Sequence, residues 1–178
     1  MNTEHSQQKI SFWHSMKTQF IAVVILVAAV IVILYTLMIM PGVKSNIRSI
    51  YSNYLLDLSI SYGREVESAM QVNADFLDNP EAAQDILQQI DVAGAKTAYA
   101  YLVGFDGTML YHPTAEKIGQ PVENDAVKKM LKEIQGGSIP KPETVQYVFQ
   151  GEKKFSACYT SKKQFILVVT ADDAELLS

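Results

Sequence analysis

From Phe20 to Met40 the chain reads FIAVVILVAAVIVILYTLMIM, 21 residues without a charge, inside an uncharged run from Thr18 to Val43. As a helix this run covers about 31 Å, close to the roughly 30 Å hydrocarbon core of a bilayer. It has no polar face, which suits a membrane span better than a helix lying on a soluble core. A cleaved leader has an apolar region of about 7–15 residues ending in a small-x-small site. This run is longer and ends in Leu37-Met38-Ile39-Met40-Pro41, so it reads as an uncleaved anchor. Trp13 and Tyr35 suit interfacial positions. Pro41-Gly42 marks the exit from the membrane.

The pattern then becomes amphipathic. Ile47, Tyr51, Tyr54, Leu58, Tyr62, Val66, Ala69, Asn73 and Phe76 recur in 8 steps over 29 residues, about 3.6 per step, the α-helical period. A coiled coil would need 3.5, so the stripe predicts a straight helix laid on a sheet. Ile50, Leu55 and Met70 are read as a second face of this helix, available for homodimerisation. Asn79 and Pro80 form an N-cap and N1 pair, opening a short helix to about Ile90 with Ala83, Ile86, Leu87 and Ile90 inward.

From Lys96 the period changes to two. Thr97 to Val103 predicts a strand, Asp106-Gly107 a hairpin turn, and Thr108 to His112 the returning strand, stopped by Pro113. Pro113 to Val122 is a loop. Asn124 caps a helix with Val127, Met130, Leu131 and Ile134 inward, ended by Gly136-Gly137. Three strands follow, Thr144–Gln150, Lys154–Thr160 and Gln164–Thr170, joined by links of hairpin length. The expected fold class is α+β: an N-terminal transmembrane helix, then a long helix packed on a five-stranded antiparallel sheet.

Charge narrows the function. Residues 41–178 hold 13 basic and 18 acidic residues, net −5, which does not fit a nucleic-acid binder. Lysines and arginines flank the apolar run two against two (Lys9 and Lys17 before, Lys44 and Arg48 after), leaving orientation undecided by charge. The tail of 19 residues, net +1, is the natural cytoplasmic side. Cys158 is the single cysteine, so there is no intramolecular disulfide framework and no Cys-rich metal site. It reads as a small buried hydrophobe.

No catalytic set is visible. Of the three histidines, His5 and His14 lie in the N-terminal tail and only His112 follows the span. No HExxH, GxSxG or phosphate loop occurs. The expectation is a non-enzyme without metal or cofactor. The tyrosines are more telling, since Tyr99, Tyr101, Tyr111, Tyr147 and Tyr159 all fall on predicted strands. In the first strand Tyr99, Tyr101 and Val103 share one face, and Ala98, Ala100 and Leu102 the other. The small residues let the long helix approach, which leaves the tyrosine face for a cavity. Tyrosine suits a small-molecule site, offering an apolar ring and a directing hydroxyl. His112, Lys117, Lys154 and Arg64 are candidate partners for a carboxylate ligand. The expected ligand-binding residues are Tyr99, Tyr101, Tyr111, His112, Tyr147, Lys154 and Tyr159.

Residues 96–122, KTAYAYLVGFDGTMLYHPTAEKIGQPV, with 144–175 ending QFILVVTADDAE, resemble the Cache sensor domains of bacterial methyl-accepting chemotaxis proteins. The carrying pattern is strand, DG turn, strand ending His-Pro, then Ile-Gly-x-Pro-Val, after a transmembrane and a long helix. Gly104 departs from it, since such receptors often carry an acidic residue there. The resemblance implies a single PAS-like Cache module with its ligand pocket roofed by Pro113–Ile134. It also implies a cytoplasmic tail at 1–19, a transmembrane helix at 20–40 and an extracytoplasmic sensor at 44–175. Residues 172–178 would start a helix to a second membrane segment beyond the chain. The expected function is a cell-membrane chemoreceptor's sensor region, binding a small metabolite such as an organic acid and working as a homodimer through the long helix. The alternative outputs are a histidine kinase or a cyclic-dinucleotide enzyme. A pilin is disfavoured, because Lys17 and Gln19 precede the apolar run and no acid lies within it.

Overall fold

A computed structural model describes residues 16–92, 94–162 and 164–175. The tail positions discussed above, through His14, and the terminal residues 176–178 lie outside them. Helix α1 (Met16–Val72) is followed by a 3-10 turn at Phe76–Asp78 and by α2 (Pro80–Leu87). Strands β1 (Tyr99–Gly104) and β2 (Met109–Tyr111) precede α3 (Asp125–Gln135), and β3 (Glu143–Phe149), β4 (Glu152–Thr160) and β5 (Phe165–Asp172) complete the chain. The chain divides into two units, one ending at Ser45 and one beginning at Asn46. In the first, α1 is apolar and long enough to cross a membrane, and its apolar window is wholly exposed. The helix runs through Pro41, so Pro41-Gly42 does not interrupt it.

In the second unit the five strands form one antiparallel sheet in the order β2-β1-β5-β4-β3. Period-two alternation gives the sheet two apolar faces. Ala100, Leu102, Phe155, Ala157, Phe165, Leu167, Val169 and Ala171 build a core with α1 and α2. Tyr101, Val103, Cys158, Ile166 and Val168 build a second with α3, through Val127, Met130 and Leu131. Both expected N-caps form, Asn79 accepting from Glu81 N at 3.1 Å and Asn124 from Ala126 N at 2.9 Å.

The face that α1 turns to the sheet shares Val66 with the expected stripe, whose Tyr51, Leu58, Tyr62 and Ala69 pack at its margin, but is otherwise centred on other residues. Its buried residues are Leu55, Ser59, Gly63 and Val66, and Arg48 and Ser52 extend the same line through bonds to Asp173 and Thr144. The tyrosines flank this seam. Tyr54 and Tyr62 give their hydroxyl protons to the carbonyls of Asp91 and Gln89. Small residues mark the seam because the helix lies close: a Cβ on Gly63 would sit 2.2 Å from Tyr159 Cδ1. Ser59 is fully buried yet satisfied, donating to the Leu56 carbonyl at 2.8 Å. Leu55 therefore belongs to the core rather than to a second face, and Met70 packs against that core. Of the three residues assigned to dimerisation, Ile50 alone is exposed, at 68%.

The β3–β4 hairpin turns through Gln150 and Gly151, both left-handed at φ 52° and 87°. This conformation suits Asn-Gly and strains glutamine. Gln150→Asn should therefore raise stability by about 0.5–1 kcal/mol, read from the denaturant midpoint at unchanged slope.

Candidate ligand-binding cavity

A cavity of about 420 Å³ opens on the α3 side of the sheet, within the size range of small-molecule sites. β1 supplies Tyr99 and Tyr101 by alternation, and β3 supplies Tyr147 and Phe149 in the same way. The segment after β2 supplies the roof. Met109 N donates to the Gln120 carbonyl at 2.9 Å, and Val122 N to Gly107 at 2.9 Å. The returning loop is thus pinned along the exposed edge of β2, and its residues 120–124 line the cavity.

A bulge decides which β2 side chains reach this space. Tyr111 pairs with Leu102 but Met109 pairs with Val103, so Leu110 is the extra residue. One extra residue reverses the alternation. Met109 joins the α3-side core, Tyr111 joins the α1-side core, and His112 returns to the cavity. The Asp106-Gly107 turn ahead of β2 is fastened by Asp106, whose carboxylate accepts from Thr108 N at 2.9 Å and Thr108 Oγ1 at 2.8 Å. These bonds hold its pKa below the usual carboxylate value. A Cβ at Gly104 would meet Asp106 Oδ1 at 2.6 Å, so a side chain at position 104 would push the Asp106 carboxylate off its bonds to Thr108.

His112 is buried, its ring 5.2 Å from that of Tyr99 and 5.8 Å from that of Tyr101. Its Nδ1 accepts from Thr114 N at 2.9 Å, so the proton of the neutral ring sits on Nε2. Burial, helped by the charge of Lys117, lowers its pKa to about 4. Burial raises that of Tyr99 to about 12, with contributions from Tyr147 and Asp172, and burial likewise raises that of Tyr101 well above the ordinary phenol value. Both phenols therefore keep their protons. Asn124 Nδ2 donates to the Tyr101 oxygen at 3.0 Å. Lys117 spans the opening, its Nζ 4.8 Å from the centre of the Phe149 ring. The groups with protons to give include Tyr99, Tyr101, His112 Nε2 and Lys117, with Gln120, Lys128 and Tyr147 also in the lining; Glu123 is the one acid there.

Of the seven expected site residues, the structure brings Tyr99, Tyr101, His112 and Tyr147 together around this cavity. Lys154 lines an adjoining recess with Tyr99, His112 and Lys117 and is ion-paired with Asp172. Tyr111 and Tyr159 lie on the α1 side. Tyr159 packs over Gly63 and donates to Glu67 at 3.0 Å. Arg64 is an exposed residue of α1. Sequence reasoning missed Asn124 beyond its cap and Phe149; Gln120–Glu123 fall within the Pro113–Ile134 stretch expected to roof the pocket, though none of them was named as a site residue. Inward alternation along Val145, Tyr147 and Phe149 could have found Phe149. Cys158 is fully buried in the α3-side core, and burial pushes its thiol up to about 12. Among the described residues no cluster of His, Cys, Asp or Glu could hold a metal.

Polar contacts tie the cavity to β5 and, further along β5, tie its end to Thr97 and α1. Ser156 and Thr170, both fully buried, face each other on β4 and β5, with Ser156 Oγ donating to Thr170 Oγ1 at 2.7 Å. The Tyr147 hydroxyl stands 3.4 Å from each. Two residues on, Asp172 N donates to Thr97 Oγ1, which donates to the Glu175 carboxylate. Asp173 receives Arg48 Nη2 at 3.0 and 3.2 Å, tying the end of β5 to α1. β5 runs to Asp172 and residues 173–174 form a turn; residues 176–178 of the helix start expected at 172–178 lie outside the described residues.

No protein-family model and no curated protein matches the chain. Solved structures with similar folds include three sensor or ligand-binding domains. The extracellular domain of mmHK1S-Z3 has a TM-score of 0.45 at 20% identity, over 56% of this chain and 38% of that one. The E. coli DcuS sensor domain has a TM-score of 0.41 at 15% identity, over 70% and 90%. The ligand-binding domain of the Pseudomonas aeruginosa PAO1 amino acid chemoreceptor PctC, solved with GABA, has a TM-score of 0.36 at 19% identity, over 52% and 38%. The chain spans well under half the length of the first and third. At this degree of likeness the functional reading rests on the cavity's own chemistry.

Proposed function

We propose that residues 44–175 are the extracytoplasmic, single-Cache sensor region of a membrane-anchored chemoreceptor. In this reading the apolar run at 20–40 is the anchor, and the cavity binds a small organic acid or similar polar metabolite. The observation that carries the proposal is the convergence of proton donors, Tyr99, Tyr101, His112 Nε2 and Lys117, on one mainly apolar cavity. Such a set complements a carboxylate while aromatic walls hold its carbon skeleton. The hydroxyl contacts from Tyr147 to β5, and the Arg48–Asp173 tie to α1, offer a route from cavity to helix. Ligand biases output only if the two signalling states bind it with different affinity.

A thermal-shift screen of small metabolites on the full chain in detergent tests this. A small organic acid should raise the unfolding midpoint, saturably. Tyr101→Phe should weaken its binding about tenfold, the loss of one charge-assisted hydrogen bond of about 1.4 kcal/mol. No stabilising metabolite, or one indifferent to both Tyr101→Phe and His112→Ala, would contradict the proposal.

A further inference from the structure

Asn124 does two things at the edge of the cavity. Its Oδ1 accepts from Ala126 N at 2.9 Å and caps α3. A backbone N–H can meet only the oxygen of the amide, so the nitrogen faces the other way, where Nδ2 donates to the Tyr101 oxygen at 3.0 Å. Asn124 and Tyr101 are both buried, at 6% and 4% exposure. A neutral phenol has one proton. With Asn124 donating to its oxygen, that proton is directed away from Asn124, and Tyr101 lines the cavity.

We propose that Asn124 is a specificity-determining residue: by donating to Tyr101 it sets the polarity of that hydroxyl, so that the cavity takes the acceptor end of a ligand, a carboxylate, and discriminates against an amine. The inference rests on the cavity being the ligand site. Capping is a property that Asn shares with Asp and Ser, whereas the donation to Tyr101 belongs to the amide alone. An Asp at 124 keeps the cap with one oxygen and presents the other to Tyr101. The phenol then gives its proton inward to the carboxylate and shows lone pairs to the cavity. A Ser keeps the cap but is too short to reach the phenol, leaving the hydroxyl free to turn.

Binding of linear carboxylates from acetate to hexanoate, and of the corresponding primary amines, to the full chain in detergent tests the inference. Wild type should prefer the carboxylates. Asn124→Asp should lose at least about tenfold in carboxylate affinity and reverse the carboxylate-to-amine order, at a ligand-free unfolding midpoint close to wild type. A purely structural role would weaken both series alike. Asn124→Ser separates hydroxyl polarity from added charge: it should weaken carboxylates in wild type and have no further effect in a Tyr101→Phe background. If carboxylates bind but Asn124→Asp keeps their order, or the Asn124→Ser and Tyr101→Phe losses add in full, the inference falls and the ligand site stands. If no carboxylate binds wild type, the ligand reading falls and the inference with it.

Discussion

Replacing Gly63 by alanine should destabilise the sheet-bearing unit by about 2 kcal/mol, and by valine about 3 kcal/mol. In an ordinary helix interior the first change would stabilise by about 1 kcal/mol, because glycine is the poorer helix former. Here the added Cβ would stand 2.2, 2.6 and 2.7 Å from Cδ1, Cγ and Cε1 of Tyr159. The inner edge of the ring is struck, so no rotation of a flexible tip relieves it. The ring is also held, by the Tyr159–Glu67 hydrogen bond and by Phe165, whose ring centre is 6.5 Å away. The helix must therefore lift from the sheet, loosening the packing of its own Leu55, Ser59 and Val66, all fully buried. Urea titration of the full chain in detergent, followed by near-ultraviolet circular dichroism, reads the effect. Trimming the ring with Tyr159→Ala should recover part of the loss. A Gly63→Ala midpoint at or above wild type would show that α1 does not lie this close.

Acid should destabilise the wild-type chain by about 2 kcal/mol more than it destabilises His112→Gln. The folded ring titrates at about 4, against 6.5 for an ordinary histidine, with burial as the main cause and Lys117 as the second. Between these values the unfolded chain holds a proton at this position and the folded chain does not. Unfolding then takes up a proton, so stability falls as pH falls from 6.5 to about 4 and is flat above 6.5. The full shift would give about 3 kcal/mol, reduced here because water partly reaches the ring. Glutamine cannot take up the proton, so the difference between the two stability profiles isolates the histidine from the carboxylates. Parallel profiles from pH 7 to 4.5 would contradict a buried neutral His112.

The strands were legible because their period is two and their ends carry turn residues, as at Asp106-Gly107. The caps at Asn79 and Asn124 were legible because N-capping is local chemistry. What stayed hidden depends on contacts across the chain. The stripe of tyrosines drew the helix face toward Tyr54 and Tyr62, while the true seam uses Ser59 and Gly63, whose value is smallness rather than hydrophobicity. Strict alternation gave no sign of the Leu110 bulge, and that one residue exchanges the faces of Tyr111 and His112, sending Tyr111 to the α1-side core and His112 to the cavity. Tyr159 sits on the α1 side because it shares its strand parity with Phe155 and Ala157, a distinction that counting tyrosines cannot make. The second role of Asn124 needed the approach of Tyr101, 23 residues earlier.

The central claim, that a small acid binds among Tyr99, Tyr101 and Tyr147, can be tested at those rings. The chain carrying ¹³C-labelled tyrosine is titrated with a carboxylate found to stabilise it, and each ring resonance is assigned by Tyr→Phe substitution. The account predicts saturating shifts at Tyr99, Tyr101 and Tyr147, with Tyr111 and Tyr159 still. Shifts confined to Tyr111 or Tyr159, or saturable binding that moves none of the three cavity tyrosines, would contradict it.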